Sequence, residues 1–266
     1  MSPLHPANND FTWVDRPLDG LQLLSAQHVE QFNGQGFCVL NEAVSASELT
    51  MLLAEIDPVE QAGGGSTLVG EDGELASYQA DELTFTCNLS ARSPKLAAFY
   101  GSSLFRDITH DLIANSCRLY WDQAVYKHPQ KGGEFPWHQD NGYTFVEPQA
   151  YLTCWLALKD APIAAGCPWV IPKAHREGTY VHQKQSYGLE IKDVDDLREM
   201  YGEVAAPVKA GDMVIFSSLT PHKTGPNSLD YIRKALIVQF IPDGAVRLES
   251  GQKIPLTDPV QNQLLG

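Results

Sequence analysis

The sequence predicts a mainly β fold with flanking α-helices, a β-sandwich or barrel. From Arg118 onward, short strand-like runs alternate with glycine and proline turns, whereas the residues before it carry two amphipathic helical patterns. The 266 residues are 43% hydrophobic, enough for one sizeable core. A single domain is expected over residues 1–266, with residues 1–24 as an N-terminal extension and a motif-bearing core over about 115–245.

In chain order, Ser25 is a capping residue with Val29 and Phe32 behind it at helical spacing. Gly34 and Gly36 are stop signals, and Phe37-Cys38-Val39-Leu40 is strand-like. The capping box Ser45-Ala46-Ser47-Glu48 opens a second helix, whose stripe Leu49, Leu52, Leu53 and Ile56 faces a core and whose end is expected before Pro58. Gln61 to Gly73 holds five glycines but lacks the lysine and serine or threonine of a phosphate loop, so it reads as a mobile surface loop or lid. Strands are expected at Leu119 to Lys127, Tyr143 to Val146, Leu152 to Leu158, Trp169 to Ile171, Val214 to Phe216 and Lys234 to Ile241. Val194 to Tyr201 interrupts them with helical composition.

Charge and cysteine usage narrow the function classes. Lysine and arginine number 19 against 33 acidic residues, and a net charge of −14 makes nucleic acid and anionic membranes poor partners. The five cysteines are odd in number, widely spaced and free of any CxxC pair, which fits reduced thiols. The first ten residues lack the apolar segment of a secretory signal, and no run approaches ~18 apolar residues. A cytoplasmic protein acting on a small molecule is expected; the sequence carries no signal of oligomeric state.

In Phe135-Pro136-Trp137-His138-Gln139-Asp140 a histidine and an aspartate stand two apart, so on an extended segment both side chains leave one face and can reach one metal ion. Far downstream, His222 in Leu219-Thr220-Pro221-His222 follows a strand and can lie across a rolled sheet from that pair. Two histidines and one carboxylate leave three adjacent positions open on Fe(II), which suits an oxo-acid bound through two oxygens and O2 through the third. Alone, the His-x-Asp pair is a weak signal, since such a pair is more often a surface feature. Arg233 adds to it, because a planar guanidinium is the natural partner for the distal carboxylate of a dicarboxylic oxo-acid. Its bland alternative is a surface residue on a final strand. Gln123 and Lys127 alternate on the strand leading to His138, and either touches co-substrate or substrate or has a structural part. Tyr126, Trp137, Tyr143 and Trp169 line a substrate pocket or pack the core.

Trp137-His138-Gln139-Asp140, Gly211-Asp212-Met213-Val214-Ile215-Phe216, and His222 with Thr224-Gly225, Asn227-Ser228 and Arg233 resemble the phytanoyl-CoA dioxygenase family of Fe(II)/2-oxoglutarate-dependent oxygenases in order and spacing. A weaker likeness runs through Cys154-Trp155-Leu156-Ala157-Leu158, Gly166-Cys167-Pro168-Trp169-Val170-Ile171-Pro172, His175 and Gly36-Phe37-Cys38-Val39-Leu40. The resemblance implies a double-stranded β-helix (jelly roll, cupin-like), with His138, Asp140 and His222 as iron ligands and Arg233 on the far carboxylate. It places Thr224 where the family often has a serine near the co-substrate, and Trp155 beside the site. Implied cofactors are Fe(II), 2-oxoglutarate as co-substrate and O2. The implied reaction oxidises, most simply hydroxylates, an unactivated C–H bond of a small metabolite or natural-product intermediate, releasing succinate and CO2.

The chain departs from the family at Pro172-Lys173-Ala174-His175, where relatives usually carry a glycine after the proline. Lysine disfavours positive φ, so the loop is expected to run differently, and Lys173 either faces an anionic substrate group or is solvated. Asp140 is intact, which argues against the halogenating variants. His5, His28, His110, His128, His175 and His182 are expected outside the ligand set. Two other classes stay in view: a cupin-like metalloenzyme that does not use 2-oxoglutarate, which would not need Arg233, and a non-catalytic jelly-roll binding module, which would have lost a ligand.

Overall fold

The computed structural model of the chain describes residues 2–9, 11–63, 68–69, 75–76, 82–113, 116–130, 133–185, 188–257 and 264–265. Its elements run α1 (Ala26–Gln35), β1 (Phe37–Leu40), α2 (Ala46–Gly63), β2 (Leu68–Val69), β3 (Leu75–Ala76), β4 (Leu83–Cys87), α3 (Pro94–Tyr100) and α4 (Ser103–Leu112). There follow β5 (Cys117–Lys127), β6 (Phe135–His138), β7 (Val146–Glu147), β8 (Leu152–Ala157), β9 (Pro168–Val170), β10 (His182–Gln185), β11 (Gly188–Ile191), α5 (Val194–Tyr201) and β12 (Val204–Ala205). The last are β13 (Met213–Ser217), β14 (His222–Thr224), β15 (Arg233–Pro242), β16 (Val246–Glu249) and β17 (Gln252–Pro255).

Two sheets carry the fold. The larger has six strands in the order β1-β13-β8-β15-β5-β4, and the smaller has four in the order β12-β9-β14-β6, all paired antiparallel. Together they form a jelly roll, with helices on the outer face of the larger sheet. Strand β8 shows why its sequence reads as one apolar run. Leu152, Cys154 and Leu156 pack with Phe32 of α1, Ile56 of α2 and Phe105 of α4, while Trp155 and Ala157 turn to the opposite layer with Thr153 on the same face. A strand covered on both faces has no polar side to alternate with. Between Gln239 and Phe240 the β15–β5 pairing slips by one residue. That bulge resets the phase of β5, so Tyr120 and Trp121 both reach the cavity between the sheets.

Local chemistry sets the element ends. Ser45 and Glu48 form the expected capping box at α2, through Ser45 N to Glu48 Oε2 (2.8 Å) and Glu48 N to Ser45 Oγ (3.2 Å). Gly36 closes α1 at φ 86°, and a Cβ there would lie 2.5 Å from Thr220 Oγ1 and 2.6 Å from His175 Nδ1. Only glycine meets both demands.

Several expectations are corrected. Helix α2 does not stop before Pro58 but runs to Gly63, and its last turn is tied to β4 by Thr84 Oγ1 donating to Glu60 Oε1 (2.8 Å). Tyr143 to Val146 is not a strand. A 3-10 turn at Asp140–Gly142 is closed by Asn141, whose Oδ1 accepts from Val146 N (2.9 Å), and only Val146–Glu147 pairs. The large sheet draws on residues well before 115, since β1 and β4 form its two edges. Within the N-terminal extension, Trp13 and Leu24 are buried in the helix-side core and Leu4 bridges to Tyr180. Helix α3 has no counterpart among the expected elements, whereas α4 falls where the sequence around His110 has helical character. Of the expected glycine-rich lid, residues 64–67 and 70–73 lie outside the described residues. Among the described residues, no helix is long and apolar enough to cross a membrane.

Candidate metal centre

His138 ends β6 and His222 begins β14, and the two are direct partners in the antiparallel register. Their ring centroids are 4.1 Å apart. Asp140 follows in the 3-10 turn, and its Oδ1 lies 3.8 Å from the Nε2 of each histidine. Among the described residues these three are the group able to converge on one ion, with ligand atoms all within 4.8 Å of one another.

Hydrogen bonds prepare each donor atom. His138 Nδ1 donates to Pro136 O (2.8 Å) and His222 Nδ1 to Thr220 O (3.0 Å), which leaves both Nε2 lone pairs facing inward. Burial pushes both imidazoles down, to about 3 for His138 and about 4 for His222, so both are neutral near pH 7. Asp140 Oδ2 accepts from Thr153 Oγ1 at 2.5 Å, and Thr153 Oγ1 in turn accepts from Gln239 Nε2 at 3.2 Å. The occupied Oδ2 leaves Oδ1 as the outward-facing ligand atom. Burial raises the Asp140 pKa, and the electrostatic pull of the nearby His138 ring and the hydrogen bonding of Thr153 and Gln239 oppose that shift. Two neutral nitrogens and one carboxylate oxygen are a donor set suited to Fe(II) with open positions.

The triad sits on a cavity of about 490 Å³ between the two sheets. Arg233, 1% exposed, lines the same cavity. Its Nη1 donates to Val125 O (3.3 Å) and its guanidinium lies 5.3 Å from the centre of the Trp155 ring. Its Nε and Nη2 are buried with no partner, and no acidic side chain pairs with it among the described residues. Burial lowers its pKa to about 10, so it stays charged at neutral pH. A buried cation with two unused donors facing a cavity fits a carboxylate guest, because leaving such groups unpaired is costly. Gln123, Trp155 and Thr224 share the cavity wall. The residues therefore fit both iron and 2-oxoglutarate.

Of the candidate substrate residues, only Tyr143 lines the cavity, edge-on to His138 at 5.5 Å between ring centroids. Tyr126 faces the helices, its hydroxyl bonded to Asp57. Trp137 packs with Ile171, Tyr180 and Leu197 beneath Lys223. Trp169 lies off the wall, where Pro168 takes its place. Lys173 is exposed and adopts a left-handed conformation (φ 70°), one that a glycine takes at less cost. Lys127 is buried behind the wall rather than in it. His182 supports the metal loop by accepting from Gln139 N (3.0 Å), and His175 packs against Trp13. Sequence reasoning passed over Thr153, Gln239, Tyr120 and Trp121 on the wall and Asn88 and Arg92 at its rim. The signal for Gln239 was period two: residues 233, 235, 237 and 239 share one face of β15.

The sequence model of the family described as phytanoyl-CoA dioxygenase matches residues 32–235. The phytanoyl-CoA dioxygenase domain-containing protein 1 of Bos taurus is 30% identical over 256 residues, covering 80% of this chain and 88% of that protein. Methylphosphonate hydroxylase of Gimesia maris is 29% identical over 245 residues, covering 85% of each chain. Among solved structures, the non-haem α-ketoglutarate-dependent carbocyclase SnoK of nogalamycin biosynthesis superposes with a TM-score of 0.76 at 22% identity, covering 93% of this chain and all of that one.

Proposed function

The chain belongs to the phytanoyl-CoA dioxygenase family, and we propose that His138, Asp140 and His222 hold the iron, and Arg233 the 2-oxoglutarate, of a non-haem dioxygenase that oxidises a C–H bond of a small molecule. The observation that carries the assignment is Arg233: a fully buried guanidinium whose Nε and Nη2 lack partners, in the same cavity as the triad. A cupin-like enzyme without a dicarboxylic co-substrate has no use for that group. A non-catalytic module has no use for three prepared ligands.

Iron and 2-oxoglutarate supply the oxidation of the substrate by O2, with succinate and CO2 released. The chain's own residues place and shield the reactants. His138 and His222 on the small sheet, with Asp140 in the turn after β6, fix the metal position, and Arg233 fixes the far end of the co-substrate on the large sheet. Leu83, Phe85, Val125 and Ile237 make the wall around that guest apolar and keep water out. Tyr143, Tyr120 and Trp121, with Arg92 at the rim, are left for the substrate, and the volume lies in the range of small-metabolite pockets. We assign the whole chain to one domain, because strands from its first third complete the sheet that carries Arg233. Five buried cysteines, none of them in a disulfide, suit a reducing, cytoplasmic compartment.

The test is an anaerobic titration of the Fe(II) protein with 2-oxoglutarate. A weak visible charge-transfer band that saturates at one equivalent is expected, followed by succinate release once O2 is admitted with a substrate. Iron binding without any 2-oxoglutarate-dependent band would favour the cupin-like alternative.

A further inference from the structure

Behind the cavity wall lies a buried lysine to which the reading above gives no task. Lys127 ends β5, directly opposite Arg233 on β15 and Leu83 on β4. It is 1% exposed, and lysine is almost never buried so completely without a specific partner. No carboxylate pairs with it among the described residues. Its Nζ donates instead to Gly225 O (2.6 Å), Thr224 Oγ1 (3.1 Å) and Thr224 O (3.3 Å).

The direction of those bonds matters. An ammonium has three N–H donors and no acceptor, and here three oxygens meet it. Thr224 Oγ1 is therefore used as an acceptor, and the single hydroxyl proton remains to be donated. No acceptor within the described residues takes it, and Thr224 lines the cavity together with Arg233. We infer that Lys127 is a positioning residue for the co-substrate: it holds the Thr224 hydroxyl with its proton toward the cavity. Thr224 O–H then joins Arg233 Nε and Nη2 as a third donor to the distal carboxylate of 2-oxoglutarate. Burial, and after it the charge of Arg233, lower the Lys127 pKa well below its ordinary value; the negative charge of a dicarboxylate held by Arg233 opposes the second effect.

The inference rests on the co-substrate reading, and a double-mutant cycle separates the two. The quantity measured is the dissociation constant of 2-oxoglutarate, from the anaerobic charge-transfer titration, with iron content determined in each protein. Wild type, Lys127→Met, Thr224→Val, the double variant and Thr224→Ser are compared. Each of the first two changes is expected to weaken binding about tenfold or more, the worth of a hydrogen bond to a charged group. The double variant should bind no worse than Thr224→Val alone, and Thr224→Ser should match wild type. If Lys127→Met binds like wild type, or adds its own full factor in the Thr224→Val background, the positioning role is overturned. Should Lys127→Met fail to fold, Lys127→Gln carries the same cycle. Absence of the band in wild type would instead remove the co-substrate reading itself.

Discussion

Arg233 is a buried charge waiting for a counterion, and the consequence of removing it follows from that. Arg233→Ala leaves the distal carboxylate desolvated and unpaired, a loss of about 3–5 kcal/mol, or two to three decades or more in 2-oxoglutarate affinity. Iron binding should survive, because the triad shares no hydrogen bond with Arg233. Arg233→Lys should fall between, since lysine keeps the charge without the planar two-point contact. The 2-oxoglutarate dependence of succinate formation, with iron content checked in each variant, decides this; near wild-type affinity in the alanine variant would return Arg233 to a structural role. Thr153 carries a second prediction. By occupying Asp140 Oδ2 it leaves one oxygen for the metal. Thr153→Val removes that bond with little change of volume, and metal affinity should fall roughly 10- to 100-fold, as for other residues that orient ligands. Competition for Co(II) against a chelating dye measures it, and an unchanged affinity would mean that the turn alone orients Asp140. The His-x-Asp pair, His222 and Arg233 were legible in sequence because metal and carboxylate chemistry demand particular residue types at particular spacings. Thr153 and Gln239 were not, because a short polar side chain inside an apolar strand looks like any tolerated substitution until its partner across the sheet is known.

Elements were legible where covering layers left one pattern. Strands β5, β8, β13 and β15 read as strands because helices cover one face and the site the other, and α5 matches the expected Val194 to Tyr201. Where a long-range contact decides, local signals failed. Pro58 normally ends a helix by removing a hydrogen bond, yet the Thr84–Glu60 bond holds the turn beyond it. Strand β4 is only five residues of mixed polarity, and α3 only seven, too short for periodicity to declare them. The turn at Lys173 shows the same precedence of tertiary context. It holds a non-glycine residue at φ 70°, a conformation that costs a residue with a Cβ roughly 1–2 kcal/mol. Lys173→Gly relieves that cost but loosens the unfolded chain, so a net stabilisation of about 0.5–1 kcal/mol is expected, seen as a higher urea midpoint. Because the side chain is solvated and off the cavity wall, the apparent KM for substrate should not move. A raised KM would put Lys173 back among the substrate contacts.

The two sheets make separate contributions to one guest, and the stability of the whole molecule should report it. The metal ligands His138 and His222 belong to the small sheet, and Arg233 belongs to the large one. A metal ion alone therefore closes contacts within one layer and its adjoining turn. A dicarboxylate that reaches from that metal to Arg233 links both layers. Any ligand that binds only the folded chain stabilises it by mass action, about 2.7 kcal/mol at one hundred times its dissociation constant. The expected pattern under nitrogen is thus ordered. Fe(II) raises the unfolding temperature, 2-oxoglutarate raises it further when Fe(II) is present, and 2-oxoglutarate adds little after a chelator has removed the metal. In Arg233→Ala the first increment should remain and the second should largely disappear at the same co-substrate concentration. Thermal unfolding of both proteins with Fe(II), with Fe(II) and 2-oxoglutarate, and with chelator and 2-oxoglutarate gives the comparison. An equal increment from 2-oxoglutarate with and without metal would show that the co-substrate is held by the large sheet alone, and the division of labour between the layers would fall.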